Sequence, residues 1–309
     1  MRILLTGGAG FIGSHIADAL VERGDEVIVV DDLSTGSREN LNPQVWFHHL
    51  DVRSPRAAAL IDELRPDVVC HHAAQVSVSR SVREPALDAE VNVLAGLNLL
   101  EAARRAGARF IFASTGGALY GEATVLPTPE DHPAWPISPY GVSKLAFEHY
   151  LHCYGAQHGV SYVALRYANV YGPRQSPHGE AGVVAIFCQR LLAGEPPVIH
   201  GDGRQTRDYV HVADVVRANL AAIDAGVSGH FNVGTGRQVD VNHLFRLVAE
   251  RIGTGIEAVH GPPRPGDQRT SALDSSLIAE RLGWRAQISL EQGLEETAAW
   301  FRTRVAAAR

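Results

Sequence analysis

Residues 2–13 read Arg2-Ile3-Leu4-Leu5-Thr6-Gly7-Gly8-Ala9-Gly10-Phe11-Ile12-Gly13. The apolar run within Arg2 to Thr6 makes a short buried strand, and helical spacing from Phe11 to Arg23, stopped by Gly24, makes a helix. Between them, glycines let the backbone turn tightly and approach a pyrophosphate, which would rest on the unpaired N–H groups and positive dipole end of the helix. A second strand, Glu26 to Val30, delivers Asp31 and Asp32, with Asp31 eighteen residues beyond Gly13. A carboxylate there accepts the 2′-hydroxyl of an adenosine ribose and repels a 2′-phosphate, so the expected cofactor is NAD rather than NADP.

The same alternation continues outward. Strand Val45 to Leu50 leads into Asp51-Val52, followed by helix Pro55 to Leu64, strand Asp67 to His71, helix Ala86 to Ala106 and strand Arg109 to Ala113. Strands separated by helices of this length predict βαβ units: an α/β, doubly wound (Rossmann) parallel sheet with helices on both faces. Ligands of such sheets sit beyond the carboxyl ends of the strands. Asp51-Val52, His72-Ala73-Ala74-Gln75 and Ser114-Thr115-Gly116-Gly117 stand there, small or polar as a cofactor lying across the edge requires. Asn92 interrupts the apolar face of the Ala86 to Ala106 helix, and its buried amide must bond either a neighbouring loop or the cofactor's ribose.

Composition narrows the functional class. At 309 residues, with 45% hydrophobic and 20% charged residues, the chain reads as a globular protein of one large and one smaller domain. A net charge of -6 argues against general binding to nucleic acid or anionic membranes. Cys70, Cys153 and Cys188 are odd in number and widely spaced, which predicts neither a disulfide framework nor a metal site and suits a reducing, cytoplasmic setting. No apolar run reaches the ~18 residues of a membrane span, and Ile3-Leu4-Leu5 passes straight into glycines rather than into a signal-peptide core.

Tyr140-Gly141-Val142-Ser143-Lys144 opens the helical run Leu145 to His158. Residues four apart share a helix face, so phenol and ammonium point to one place. A cation within roughly 4–6 Å favours the phenolate, which would make Tyr140 a general base or acid near neutral pH. The 28 basic residues are 27 arginines and a single lysine, Lys144. A planar guanidinium cannot replace a compact ammonium that serves a ribose and a phenol together.

These residues, taken with Asp31-Asp32-Leu33-Ser34, Ala118-Leu119-Tyr120-Gly121, Arg166-Tyr167-Ala168-Asn169-Val170-Tyr171-Gly172-Pro173, Gly201-Asp202-Gly203, Thr206-Arg207-Asp208-Tyr209-Val210-His211-Val212, Asn232-Val233-Gly234 and Arg264-Pro265-Gly266-Asp267, resemble the extended short-chain dehydrogenase/reductase family, and within it the nucleotide-sugar 4-epimerases. The resemblance covers essentially the whole chain and implies a smaller C-terminal α/β domain that binds a UDP-sugar. It implies that Gly7, Gly10, Phe11, Ile12, Gly13, Asp31, Asp32, Leu33, Ser34, Asp51, Val52, Ala73, Ala74, Gln75 and Asn92 contact NAD. Lys144 would bond the nicotinamide ribose, and Tyr140 would take the proton of the sugar 4-hydroxyl as hydride leaves C4.

One departure stands out. The family's third catalytic hydroxyl belongs five residues before Gly121, where this chain has Gly116. Thr115 is the first choice to replace it and Ser114 the second. The same loop lacks the Asp-Glu pair of the 4,6-dehydratases, which disfavours that reaction. The resemblance further implies that Val184, Val198 and His200 line the uracil and ribose, Asn169 lies on the pyrophosphate side, Arg207 and Arg264 grip the diphosphate and Asp267 holds the uridine ribose. A small residue at Ser271 implies room for a 2-acetamido group. Gln175 to Gly182 reads as a loop over the substrate.

The expected division is 1–170, with 210–233 returning to it, as the NAD-binding domain, and 171–209 with 234–309 as the nucleotide-sugar domain. Helices are expected at Val183 to Ala193, Val212 to Ala225, Val241 to Ile252, Ser275 to Leu282 and Leu290 to Arg304, with an edge strand in Pro196 to His200 and another strand at His230 to Val233. The expected reaction is C4 epimerisation of UDP-glucose and UDP-galactose by a homodimer. The rivals are epimerisation of an N-acetylhexosamine or uronate sugar, and a non-catalytic NAD-binding regulator.

Overall fold

A computed structural model describes residues 1–178, 182–263 and 268–307. Chain order is β1 (Arg2–Thr6), α1 (Phe11–Glu22), β2 (Glu26–Asp31), β3 (Trp46–His49), α2 (Pro55–Leu64), β4 (Val68–His71), α3 (Val78–Arg83), α4 (Pro85–Ala89), α5 (Ala95–Ala106), β5 (Arg109–Thr115), α6 (Pro139–His158) and β6 (Tyr162–Tyr167). Then come β7 (Asn169–Tyr171), α7 (Val183–Leu192), β8 (Val198–His200), β9 (Thr206–Arg207), β10 (Tyr209–His211), α8 (Val212–Asp224), β11 (Gly229–Val233), β12 (Val239–Asp240), α9 (Val241–Ile252), β13 (Val259–Gly261), α10 (Ser276–Leu282) and α11 (Leu290–Ala307).

Among the described residues, the main sheet has seven strands in the order β11-β6-β5-β4-β1-β2-β3, every pair parallel. The chain begins in the middle, winds out through β2 and β3, then returns to β4 and proceeds the other way. That reversal leaves a crevice between the carboxyl ends of β1 and β4, the place where doubly wound sheets bind dinucleotides. One threonine stitches it: Thr6 Oγ1 accepts the amides of His72 (3.2 Å) and Ala73 (3.1 Å) and lies 2.8 Å from His71 Nδ1.

Strands buried on both faces are largely apolar, as Ile3-Leu4-Leu5 of β1 and Val68-Val69-Cys70 of β4 are. One core, with Leu5, Ile16, Val29 and Val215, lies under α1 and α8; the other, with Leu4, Ile61, Leu99 and Phe147, lies under α2, α5 and α6. A separate core of Phe187, Leu191, Leu244, Val248 and Phe301 joins α7, α9 and α11 in the smaller lobe. β11 comes back from beyond that lobe to pair with β6, and α8 packs on α1. Strand β6, Tyr162–Tyr167, is absent from the sequence reading, although Gly159, in the left-handed region at the end of α6, marks the turn before it.

The expected continuous helix Ala86 to Ala106 is corrected. Between α4 and α5 the chain makes a π-helical turn, Glu90–Leu94, with Asn92 buried inside it. Such a bulge rotates one side chain out of the helical register and costs one regular hydrogen bond, which buried polar contacts must replace. Helix α6 also begins earlier than its apolar run suggested. Ser138 caps α6 by accepting the Gly141 amide (3.2 Å) and Pro139 occupies its first turn, so Tyr140 and Lys144 are both helical.

Candidate active site

The glycine turn after β1 is required by the backbone itself. Gly7 has φ +71°, and a Cβ there would stand 2.6 Å from the Ala73 nitrogen; one on Gly13 would stand 2.2 Å from the Gly7 carbonyl oxygen. No side chain caps α1 at Gly10, so the amide end of the helix faces a cradle that any Cβ would fill. Asp31 closes the far side. Its Oδ2 accepts the Ala9 amide (2.9 Å) and its Oδ1 the Leu33 amide (2.8 Å). Burial pushes the carboxyl up while those two donors pull it back. Leu33 sits in the left-handed region at φ 60°, a strain on the order of 1 kcal/mol that this bond offsets. Asp32 accepts the amide and hydroxyl of Ser34. Asp51 forms an ion pair with Arg53, and Val52 is buried beside it. The arrangement fits a dinucleotide whose pyrophosphate lies on α1 and whose adenosine ribose meets Asp31.

Asn92 is committed to the loop. Its Oδ1 accepts the Gln75 amide (2.9 Å), and its Nδ2 faces the Gln75 carbonyl (3.0 Å), Asp88 Oδ1 (3.1 Å) and Ser143 Oγ (3.2 Å). It holds Ala73-Ala74-Gln75 against α6. The alternative of a direct ribose contact finds its amide already engaged.

Lys144 is only 3% exposed. Its Nζ donates to the Ala113 carbonyl (2.9 Å), lies 4.7 Å from the centre of the Phe112 ring and 5.9 Å from that of Tyr140. Burial lowers its ammonium to about 8, against the opposing pull of Asp88 and Glu148. The expected depression of the Tyr140 phenol is corrected: burial pushes it up to about 12, with only the Thr115 hydrogen bond favouring the phenolate. At 5.9 Å from the ring centre the ammonium does not offset the lost hydration.

Neighbouring hydroxyls divide their work. Thr115 bonds Tyr140 and accepts the Ala118 amide (3.2 Å). Ser114 instead donates to Glu148, whose carboxylate is paired with Arg166 at 2.6 Å in a fully buried network. A Cβ on Gly116 would meet Leu273 Cδ1 at 2.3 Å, so a side chain there requires the Leu273 side chain to move. Sequence reasoning passed over Asp88 and Glu148. The spacing Asp88–Asn92 and Lys144–Glu148, four residues in each case, was the available signal.

In the smaller lobe Asn169 lies on β7 and donates its amide to the Asp208 carbonyl (2.9 Å). Arg207 lies on β9, beside β12. Val198 is exposed on β8, and His200 on the same strand approaches the Pro262 carbonyl at 3.2 Å. Val184 is 1% exposed and packs in the core of the lobe. Ser271 is half-buried in the loop before Leu273. Arg264 and Asp267 lie outside the described residues, as does part of the Gln175 to Gly182 loop. Cys70 and Cys188 are buried, with thiols pushed up to about 12, which makes them unsuited to nucleophilic chemistry. No helix of the described residues is long and apolar enough to cross a membrane.

Residues 3–234 match the NAD dependent epimerase/dehydratase family. A UDP-glucose 4-epimerase of Mycolicibacterium smegmatis is 45% identical over 311 residues, 98% of this chain and 99% of that one. Among solved structures, the Thermotoga maritima UDP-glucose 4-epimerase with UDP-glucose superposes with a TM-score of 0.97 at 52% identity, covering 99% of this chain and 100% of the other. The Thermus thermophilus UDP-glucose 4-epimerase complex with NAD gives 0.93 at 48% identity, covering 98% and 99%. With the dinucleotide cradle and the Tyr140–Lys144 pair in one crevice, the chain belongs to the NAD dependent epimerase/dehydratase family, within the extended short-chain dehydrogenase/reductases.

Proposed function

We propose that this protein inverts C4 of a UDP-hexose, interconverting UDP-glucose and UDP-galactose through a transient 4-keto sugar, with NAD retained throughout. One observation carries the reading. A buried ammonium, a half-buried phenol and a threonine hydroxyl meet at the carboxyl end of β5, beside a cradle shaped for a dinucleotide. Bound NAD supplies the hydride acceptor and donor, and its oxidised ring adds a positive charge to this pocket.

Tyr140 takes the proton of the sugar 4-hydroxyl and later returns it. Thr115, already bonded to that phenol, holds the 4-oxygen. Lys144 spends one of its three protons on Ala113 and keeps the others for the nicotinamide ribose and the phenol. Arg207, Arg264 and Asp267 hold the diphosphate and ribose of the nucleotide, forked guanidinium groups being suited to phosphate oxygens. Asn169, Val198 and His200 face the same ligand. The working division is 1–170 with 210–233 for the cofactor, and 171–209 with 234–309 for the nucleotide sugar.

Ser271 supports a second substrate, UDP-N-acetylglucosamine, since a small half-buried side chain leaves space for the 2-acetamido group. The exposed apolar side chains of Val78, Val82, Leu94 and Tyr150, carried on α3, the π turn and α6, which pack together, support a homodimer through that face. A cytoplasmic location is inferred from the free thiols and the cofactor.

The test is incubation of the purified protein with a panel of UDP-sugars, without added cofactor, and separation of the 4-epimers. Tyr140→Phe should lose at least about 100-fold in turnover with NAD content unchanged. If no 4-epimer forms from any sugar in the panel, the reading is wrong. Unchanged turnover in Tyr140→Phe would move the chemistry to another residue.

A further inference from the structure

Asp31, Asp88 and Glu148 are the buried carboxylates of residues 1–170, and they are not equivalent. Asp31 serves the amides of the glycine turn. Glu148 is held by Arg166 through both oxygens, so its charge is largely neutralised in place. Asp88, on α4 and only 1% exposed, accepts the Gln75 Nε2 donor (2.8 Å) and the Asn92 Nδ2 donor (3.1 Å), both neutral amides. Burying a carboxylate costs less when donors hold it and a cation lies in its surroundings. On α3, Arg80 pairs with Glu84 and Arg83 reaches Ser79, both on the exposed surface. On the π turn the charged residue is Glu90, which approaches Arg53. On β4 and the residue after it, His71 and His72 are buried, neutral and held down to about 3. On α6, Lys144 and Glu148 are buried and Tyr140 is half-buried. Asn92 joins Asp88 to this helix, its Nδ2 lying 3.1 Å from Asp88 Oδ1 and 3.2 Å from the Oγ of Ser143, the residue before Lys144, and from there the charge of Asp88 acts on the Lys144 ammonium.

We propose that Asp88 is a positioning residue of the reaction, anchoring the cofactor loop through Gln75 and Asn92 and supplying the negative charge that keeps Lys144 an ammonium. The proposal rests on the reading of Tyr140 and Lys144 given above. The Asp88 field acts on both groups in the same sense, raising the Lys144 ammonium and raising the Tyr140 phenol. Removing that charge lowers both.

Asp88→Asn keeps an oxygen that can accept from Gln75 and Asn92, and removes only the charge. Because Lys144 is the sole lysine, 15N-lysine labelling gives one side-chain signal, whose titration reads this ammonium with or without any substrate. Its midpoint, about 8 in the parent protein, should fall by roughly 1 unit in the variant, the low end of what one nearby charge produces. With an epimerisable UDP-sugar, the two ionisations that shape the kcat/KM profile, those of the phenol and the ammonium, should both move to lower pH. Asp88→Ala, which also frees Gln75, should in addition lose bound NAD. An unmoved lysine midpoint in folded Asp88→Asn overturns the proposal, whatever happens to turnover. A shifted midpoint in a protein that turns over no UDP-sugar upholds the pairing and counts against the epimerase reading alone.

Discussion

Ser114 and Thr115, adjacent on β5, send their hydroxyls to different partners: Ser114 to the buried Glu148 and Thr115 to the Tyr140 phenol. Successive residues of a strand point to opposite faces, so only one of two neighbours can reach the crevice. Thr115→Val should lower kcat by about 10- to 100-fold while leaving KM for the UDP-sugar near its parent value. Ser114→Ala should leave kcat within about threefold and register instead as lost stability, about 1–3 kcal/mol, from the lost hydrogen bond to the Glu148 carboxylate, whose oxygens keep Arg166. Steady-state kinetics and denaturant unfolding of the two variants separate these effects; equal losses of kcat would refute the division.

The ion pair behind Ser114 is structural. Glu148 and Arg166 are both buried, and Arg166 also donates to the Tyr120 hydroxyl (2.8 Å) and the Glu130 carbonyl (3.2 Å). Arg166→Met leaves a buried carboxylate without its cation and should cost about 3–5 kcal/mol. Adding Glu148→Leu to it should recover part of that loss, because no unpaired charge then remains. Urea unfolding of the two single variants and the double variant forms the cycle that checks this.

Lys144 carries a functional charge at the expense of stability. Its folded ammonium titrates near 8, below the 10.5 of an unperturbed lysine, so the unfolded chain binds more protons between those values. The sign follows: this group makes stability rise with pH from about 8 to 10.5 and contributes no slope below that window. Lys144→Met should remove that slope, stabilise the NAD-free protein by on the order of 1–3 kcal/mol, and abolish turnover. Melting temperatures across the alkaline range, compared between parent and variant, read the effect directly.

Ser271 offers a steric test. Ser271→Tyr should depress turnover of UDP-N-acetylglucosamine at least about 10-fold more than that of UDP-glucose, since a bulky side chain excludes the acetamido group and spares the unsubstituted sugar. Competition between the two sugars in one reaction gives the ratio. Equal loss on both would place the specificity elsewhere.

The sequence by itself determined the sheet, the cofactor and the reacting pair, because each is encoded by short-range physics. Arg2 to Gly13 joins an apolar strand to an uncapped helix through glycines, and Tyr140 and Lys144 are four residues apart on one helix. Such features need no knowledge of the rest of the chain. Only the tertiary structure decided matters of burial and pairing. It raised the Tyr140 phenol where the nearby ammonium alone suggested a fall, sent the hydroxyls of Ser114 and Thr115 to different partners, packed Leu273 over Gly116, and folded Asn92 into a π turn that grips Gln75. It also brought the charge of Asp88 to bear on Lys144 across 56 residues of chain. Desolvation and long-range pairing depend on what surrounds a group in space, and local spacing carries no record of that.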